Sequence, residues 1–243
     1  MDTTLNYSPN FEVKKRKAKQ IKFIIFHYTG MKKESEAIER LTSTKSKVSS
    51  HYLIKNNGEV ITMVPDLFQA WHAGVSSWKN FKSLNKHSIG IEISNPGHEN
   101  YYKKFSKKQI QSLKKISKFL IKKYKINKKN ILGHSDIAPT RKKDPGEKFP
   151  WKYLAKFGIG KWHSLSQKTL IKNRRKKISH IDKKSFFNNL SKIGYSIKSQ
   201  TKFKKDKFLN LIIIAFQRKF RQGLINGKID QECLLISQNL AKK

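Results

Sequence analysis

The chain has 243 residues, of which 37% are hydrophobic and 11% aromatic. This composition supplies enough apolar side chains for a packed core and excludes a largely disordered chain. The single cysteine, Cys233, excludes an intrachain disulfide, and the longest apolar run is far too short to span a bilayer.

The chain is strongly basic, with 54 Lys and Arg against 16 Asp and Glu and a formal net charge of +38. Such a charge attracts polyanions, so nucleic acid, anionic lipid and carboxylate-rich cell wall are all candidate partners. The excess is mostly lysine and is spread along the chain, whereas a nucleic-acid site concentrates basic side chains on one surface. Compositional drift is therefore favoured, and we expect no specific nucleic-acid partner.

The first elements alternate between strand and helix patterns. Residues 21–26 form a short apolar run rich in β-branched side chains, which predicts a buried strand. Residues 34–43 have apolar side chains at helical spacing and predict a helix. Two apolar runs, 52–54 and 60–64, surround an Asn-Asn-Gly turn and predict a hairpin.

The same alternation continues towards the middle of the chain. Residues 88–94 predict another strand, and Ser106 begins a capping-box pattern ahead of a long amphipathic helix. Residues 131–132 predict a last short strand, and the proline-rich stretch 134–151 predicts a loop. This order predicts an α/β domain with a central mixed β-sheet flanked by helices, ending near Trp162.

The last third of the chain changes character. Residues 165–182 are polar and basic, which is typical of a linker. Three apolar patterns at helical spacing follow and predict a small three-helix domain. The expected organisation is thus an α/β domain over residues 1–164, a basic linker over 165–182 and a helical domain over 183–243.

Two histidines follow predicted strands. His27 comes directly after residues 21–26, His134 comes directly after the last short strand, and Asp144 lies in the loop beyond. Strand ends are where α/β folds place ligands. Two imidazoles and a carboxylate leave zinc a fourth position for water, as in catalytic sites. Spacing alone is weak evidence, because such a set can be chosen from a sequence in many ways.

Six motifs strengthen this interpretation because they occur together and in order. The motifs are FHYTG at 26–30, SSHYLI at 49–54, AWHAG at 70–74, IGIEISN at 89–95, GHSDIAP at 133–139 and KKDPGEKFPW at 142–151. Over roughly residues 5–162 they resemble the N-acetylmuramoyl-L-alanine amidase family shared with peptidoglycan recognition proteins and phage T7 lysozyme. The bacterial members whose third ligand is Asp are the nearer match.

The resemblance implies a function and a set of site residues. His27, His134 and Asp144 match the family's ligands for one Zn²⁺ per chain, Glu92 matches its catalytic carboxylate, and Lys142 matches its catalytic lysine. The implied reaction is hydrolysis of the amide bond between N-acetylmuramic acid and L-alanine in peptidoglycan or anhydro-muropeptides. The alternative is a peptidoglycan recognition protein that binds without cutting, but every motif position of a catalytic member is present.

The chemistry of amide hydrolysis suits these residue types. A buried carboxylate with a raised pKa can take a proton from water and pass it to the leaving amine, which is the role implied for Glu92. A cation such as Lys142 can stabilise the oxyanion of a tetrahedral intermediate. Without the motif, Glu92 is equally well read as a surface charge on an edge strand, and Lys142 as one more solvated lysine.

Other motif residues are expected to contact the substrate. These are His51, His72, which we expect to face a cleft, and Asn95, which could hydrogen-bond the peptide or glycan. Trp71 is either part of the core or a platform for a sugar ring, and we expect the core. His98 is expected to have an ordinary structural or surface role.

Residues 214–240 resemble a peptidoglycan-binding three-helix domain, although Cys233 replaces the threonine that is usual after the acidic residue. Such a domain would hold the enzyme on its polymer and raise its local concentration. It favours the cell envelope, in the periplasm or at the outer membrane. The N-terminal residues lack the apolar run of a secretory signal. The lack of such a run is typical of a cytoplasmic protein, so the cytoplasm is the alternative compartment.

Overall fold

The computed structural model describes residues 3–197 and 204–242. Residues 198–203 and 243 of the predicted helical domain lie outside the described residues. The strands are β1 (Thr4–Leu5), β2 (Phe11–Glu12), β3 (Phe23–Phe26), β4 (Tyr52–Ile54), β5 (Val60–Thr62), β6 (Gln69–Ala70), β7 (Ser77–Trp78), β8 (Phe81–Lys82), β9 (Ser88–Ile93) and β10 (Ile131–Gly133). The helices are α1 (Glu34–Thr42), α2 (Lys107–Tyr124), α3 (His134–Ile137), α4 (Trp151–Ala155), α5 (Gln167–Asn173), α6 (His180–Ile193), α7 (Lys205–Phe220) and α8 (Gln231–Ala241).

A mixed sheet lies at the centre of the described part of the chain, with strand order β1-β5-β4-β9-β3-β10. Strand β3 pairs in parallel with β9 on one side and β10 on the other, and β4 pairs in parallel with β9. The predicted hairpin is the antiparallel pair β4–β5. The α/β class with a central mixed sheet and flanking helices is therefore confirmed.

Strand β3 is buried on both faces of the sheet. Because successive side chains of a strand point to opposite faces, its residues divide between two cores. Ile24 and Phe26 pack with residues of α2 and α4, whereas Phe23 and Ile25 pack with residues of the C-terminal helices. This double burial explains why the sequence of β3 is a continuous apolar run rather than an alternating one.

The predicted C-terminal helices are present as α6, α7 and α8, and within residues 3–197 and 204–242 no helix is long and apolar enough to cross a membrane. Their apolar side chains, including Phe186 and Phe216, belong to the same hydrophobic core as Phe23 of the sheet. The segment 165–182 also differs from an extended linker. It contains α5, whose Leu170 is buried in this core. One buried side chain in a basic segment gives no periodic signal, so composition alone missed it. The boundary between the two domains stays a prediction.

The stretch 134–151 is not entirely a loop, because α3 begins at His134. Asp136 closes its first turn by accepting a hydrogen bond from the Gly133 N–H at 2.8 Å. The same carboxylate accepts from Lys219 Nζ and from the Tyr195 hydroxyl, both at 2.6 Å. Both partners come from the C-terminal third of the chain, so these residues hold in place the turn that carries His134.

The ion pair of Lys219 with Asp136 predicts a large effect of one substitution. The two side chains are only 4% and 1% exposed. Lys219→Met leaves the carboxylate buried without its cation, and breaking a buried pair in this way costs about 3 kcal/mol or more. We expect a loss of that size in the free energy of unfolding, measured with denaturant. The control Lys183→Met, on the exposed face of α6, is expected to change it by less than about 0.5 kcal/mol. Equal stability of the two variants would contradict the role of the pair.

Candidate active site

His27 and His134 are brought together by strand pairing. Each directly follows the last residue of its strand, and those last residues, Phe26 of β3 and Gly133 of β10, are partners in the parallel register. The two imidazoles therefore lie side by side at the carboxyl edge of the sheet. Their Nδ1 atoms are 2.9 Å apart.

Asp144 completes the group from the following loop. Its Oδ2 lies 3.1 Å from Nδ1 of His27 and 3.0 Å from Nδ1 of His134. The loop is fixed because the Ser135 N–H donates to the Asp144 carbonyl at 2.8 Å. A Cβ atom at Gly133 would lie 2.6 Å from Pro145, so a glycine at this position allows the loop to approach the strand so closely.

These three residues could hold a metal ion. The three residues are almost completely buried, with 1%, 3% and 6% exposure for His27, His134 and Asp144. His134 Nε2 donates to the Ala73 carbonyl at 3.2 Å, so in the neutral ring Nδ1 is left with a lone pair directed at the other two ligand atoms. Metal-binding histidines commonly donate their second nitrogen in this way, which fixes the ring orientation.

The ionisation states of the group also suit a metal. Burial and the neighbouring His134 lower the pKa of His27 to about 4. Burial alone would raise the pKa of Asp144, but its electrostatic interactions with His134 and His27 outweigh burial and hold it well below its ordinary range. At neutral pH His27 is neutral and Asp144 is ionised, which are the forms that bind cations.

Glu92 lies on β9, next to the ligands. Ile91 pairs with Phe26, so Glu92 is level with His27 on the adjacent strand. Strand β9 lies between β3 and β4, which excludes the alternative of a surface charge on an edge strand. The Oε2 atom of Glu92 is buried and has no hydrogen-bond partner among the described residues. Burial and the nearby Asp144 raise its pKa to about 8.

Lys142 and Lys143 take different places at the site. Both lysines line the same cleft as Glu92, and the positive charge of Lys142 lowers the pKa values of His27 and Glu92. Lys143 instead donates to Glu99 at 2.8 Å on the exposed rim. The ammonium group of Lys143 is thus engaged in an ion pair, and the role of Lys142 stays a prediction.

A cleft of about 400 Å³ opens above the three ligand residues. Its lining includes Glu92, Lys142, His134 and Asp144, whereas His27 is buried. The lining also includes the α1 residues Ala37, Arg40 and Leu41, and Tyr28, Gly30 and Met31 from the segment after β3. The cleft is large enough for a small substrate, and its lining includes the cationic side chains of Arg40, Arg141, Lys142 and Lys143.

The expected substrate contacts are only partly supported. His51 is fully buried, its Nδ1 accepts from the Gly90 N–H at 3.0 Å and its Nε2 faces the Phe68 carbonyl at 3.0 Å, so it offers nothing to the cleft. Asn95 is also buried, because its amide holds the following loop through Lys103 and Gly97. Both expectations were wrong for the same reason: each side chain is already hydrogen-bonded to backbone groups of the protein.

Trp71 and His72 differ from their expected places or contacts. Trp71 lines the cleft and donates to Glu12 at 3.2 Å, so its predicted place in the core was wrong. His72 borders the cleft at 8% exposure, but both of its ring nitrogens face protein atoms, His27 Nε2 at 3.0 Å and Ser88 Oγ at 3.3 Å.

Arg141 lines the cleft and was not predicted from the sequence. Arg141 donates to the Ala73 and Val75 carbonyls at 3.0 and 2.6 Å, and thereby fixes the carbonyl that orients His134. His98 was expected to have a structural or surface role, and its contacts with the Tyr28 hydroxyl at 2.9 Å and Glu147 at 3.0 Å agree with a structural one. Position next to a motif was the available signal, but it does not reveal a partner.

Comparisons with known proteins agree with this geometry. The sequence profile of the family described as N-acetylmuramoyl-L-alanine amidase matches residues 17–147. The N-acetylmuramoyl-L-alanine amidase AmiD of Escherichia coli (strain K12) is 36% identical over 236 residues, covering 92% of this chain and 83% of that protein. The chain therefore belongs to the N-acetylmuramoyl-L-alanine amidase family.

Solved structures extend the similarity to the fold. The complex of AmiD from E. coli with its substrate anhydro-N-acetylmuramic acid-L-Ala-D-gamma-Glu-L-Lys has a TM-score of 0.79 at 35% identity, covering 92% of this chain and 89% of that chain. AmpDh3 from Pseudomonas aeruginosa in complex with anhydromuramic pentapeptide has a TM-score of 0.79 at 29% identity, covering 96% of each chain. Both similarities include most of the C-terminal helices.

The raised pKa of Glu92 predicts a pH-dependent stability. Between its ordinary pKa of 4.5 and about 8, the folded protein keeps a proton that the unfolded chain has released. The Glu92 contribution therefore becomes less favourable as pH rises through this window. Glu92→Gln removes this titration. The free energy of unfolding of the metal-free variant, relative to that of the parent, should therefore rise by about 1 kcal/mol or more from pH 5 to pH 8.

The measurement is denaturant unfolding of both metal-free proteins across that pH range. Groups common to both, including His27, cancel in the difference. The control Glu59→Gln removes an exposed carboxylate whose pKa is lowered by Lys55, so its difference from the parent should stay flat from pH 5 to pH 8. A flat difference for Glu92→Gln as well would show that Glu92 is ordinarily ionised.

Proposed function

We propose that this amidase binds one zinc ion through His27, His134 and Asp144 and cuts the bond between N-acetylmuramic acid and L-alanine in peptidoglycan or anhydro-muropeptides. The enzyme class follows from membership of the amidase family. The observation that carries the proposal is that the ligand atoms of His27, His134 and Asp144 lie close together at a cleft that Glu92 and Lys142 also line.

The ligand set fits zinc in type and in spacing. Zinc in catalytic sites takes three protein ligands from nitrogen and oxygen donors at about 2.0–2.2 Å, with tetrahedral geometry. With such bond lengths and a tetrahedral angle, two ligand atoms on the same zinc ion are about 3.3 Å apart. The three separations here are 2.9, 3.0 and 3.1 Å, close to that spacing.

The residues around the ligands have distinct roles in the proposed reaction. Bound zinc would supply a Lewis acid that lowers the pKa of a coordinated water to about 7. Glu92 accepts a proton from the attacking water and passes it to the leaving amine of L-alanine. A carboxyl group whose pKa lies near neutrality can do both. Lys142 stabilises the negative charge that develops on the carbonyl oxygen.

The cleft supports a substrate that carries carboxylates. Arg40 on α1 and Lys142 lie on its lining, and the stem peptide of peptidoglycan has carboxyl groups along its length. The AmiD and AmpDh3 structures contain anhydro-muramic acid linked to a peptide, which supports soluble anhydro-muropeptides as substrates for this chain too. The function would then be cell-wall turnover or recycling.

Product analysis tests the proposal directly. Purified chain loaded with zinc is incubated with anhydro-muropeptides and with sacculi, and the products are identified by mass spectrometry. We expect free stem peptide that begins with L-alanine and one zinc per chain by elemental analysis. Chelation should abolish release, and Glu92→Gln should slow it by about 10²-fold or more without loss of zinc. Glu59→Gln, far from the cleft, is the control with parental activity.

The outcomes separate the alternatives. Peptide release by demonstrably metal-free protein would contradict the zinc proposal. Binding of both substrates without release by zinc-loaded protein would favour a recognition protein that does not cut. Release from one substrate but not the other would assign the preferred form of the cell wall.

We further propose that the C-terminal helices α6, α7 and α8 bind peptidoglycan and that the protein acts in the cell envelope. The sequence similarity of residues 214–240 to peptidoglycan-binding domains supports this role. The cytoplasm is the alternative compartment, where soluble anhydro-muropeptides would be the substrate.

A salt series distinguishes specific wall binding from charge attraction. The full chain carrying Glu92→Gln is pelleted with sacculi at salt concentrations from about 0.05 to about 0.5 M, with polylysine as a cationic control. Interactions between exposed charges are screened over this range. We expect the protein to remain bound where polylysine is released. Release of both in parallel would contradict a dedicated binding domain and assign retention to the net charge of +38.

A further inference from the structure

His72 is held rigidly beside the ligand His27. Its backbone N–H and that of Ala73 both donate to Oδ1 of Asn85, at 3.1 and 2.7 Å. Its ring packs flat against the backbone of β9, where a Cβ atom at Gly90 would lie 2.4 Å from the imidazole. The position of the ring is therefore set by the sheet and not by anything in the cleft.

The hydrogen bonds of this ring have only one consistent direction. Ser88 Oγ lies 2.6 Å from the Leu84 carbonyl, which can only accept, so the serine proton points there. The Ser88 oxygen must then accept from His72 Nε2, 3.3 Å away. A neutral imidazole has a single N–H. His72 therefore carries its proton on Nε2 and presents the lone pair of Nδ1.

The direction continues to the metal ligand. The lone pair of His72 Nδ1 faces Nε2 of His27 at 3.0 Å, so His27 must carry its proton on Nε2 and donate it. The lone pair of His27 is then on Nδ1, the atom that lies 2.9 and 3.1 Å from the other two ligand atoms. The serine at the far end thus determines which nitrogen of His27 is free to bind a metal.

We propose that His72 is a positioning residue that fixes the tautomer and orientation of His27 through the chain Leu84–Ser88–His72–His27, and that it does not contact the substrate. The inference rests on the proposed zinc site and deepens it. An imidazole acceptor here serves the purpose that a carboxylate or carbonyl serves at many metal-bound histidines. The Ala73 carbonyl serves the same purpose for His134.

A pair of substitutions of equal size tests the role. His72→Asn keeps an acceptor near the position of Nδ1, whereas His72→Leu has the same shape and no acceptor. The zinc dissociation constant is measured by competition with a chromophoric chelator, without substrate. We expect a 10–100-fold weaker affinity for His72→Leu, as for other lost partners of metal ligands, and less than about fivefold for His72→Asn. Ser88→Ala should give a smaller loss than His72→Leu.

The thermal midpoints of the metal-free variants show whether each has folded. A substrate contact at His72 would instead raise KM in His72→Leu and leave zinc affinity unchanged, and that result would overturn the proposal. If the parent chain itself binds no zinc, the proposed function fails rather than this step.

A second measurement needs no substitution. Long-range ¹⁵N–¹H correlation spectra of the histidine-labelled, metal-free parent report which ring nitrogen carries the proton. We expect the Nε2–H tautomer for both His27 and His72. A proton on Nδ1 of either ring would reverse the chain and overturn the inference, even if the variants at position 72 fail to fold.

Discussion

The parallel pairing of β3 with β9 and β10 is the constraint on which the site depends. It sets Phe26 level with Ile91 on one side and Gly133 on the other, so the residues that follow these positions form a row along the carboxyl edge of the sheet. His27, Glu92 and His134 occupy that row. A shift of one residue in either pairing would turn the side chains to the opposite face and separate the ligands.

Burial gives this row its chemistry. Removal from water keeps His27 neutral and raises the pKa of Glu92 to about 8, while the imidazoles keep Asp144 ionised. Neighbouring carboxyl groups thus have opposite protonation tendencies. The difference follows from their partners: Asp144 has two imidazoles within 3.1 Å, whereas the Oε2 of Glu92 has no hydrogen-bond partner among the described residues. Such divergence of pKa values is typical of sites with separate ligand and acid–base roles.

The C-terminal third of the chain also holds part of the site in place. Lys219 and Tyr195 hold Asp136 in the turn that begins with His134, and α7 packs into the core beneath β3. The part of the chain expected to act as a separate tether therefore contributes contacts to the catalytic half. The similarity of the whole chain to AmiD and AmpDh3 extends over 92% and 96% of its length, so it includes most of the C-terminal helices as well as the sheet.

The sequence by itself determined the class of fold and the family, and it predicted the three residues that could hold a metal ion. Periodicity located β3, β9, α2 and the C-terminal helices because these elements are long or strongly apolar, and motifs identified His27, His134 and Asp144. It did not determine α3 or α5, since each rests on a few residues whose partners are distant in sequence, such as Asp136 with Lys219.

Only the tertiary structure decided the roles of the other motif residues. His51, His72 and Asn95 have side chains suited to substrate contact, and sequence cannot show that their polar atoms already have partners within the protein. Hydrogen bonds to Gly90, Ser88 and Lys103 settle this, because a polar side chain is available to a ligand only if the fold leaves it without a partner. Residue type and motif set what chemistry is possible, and the fold determines which side chains reach the cleft.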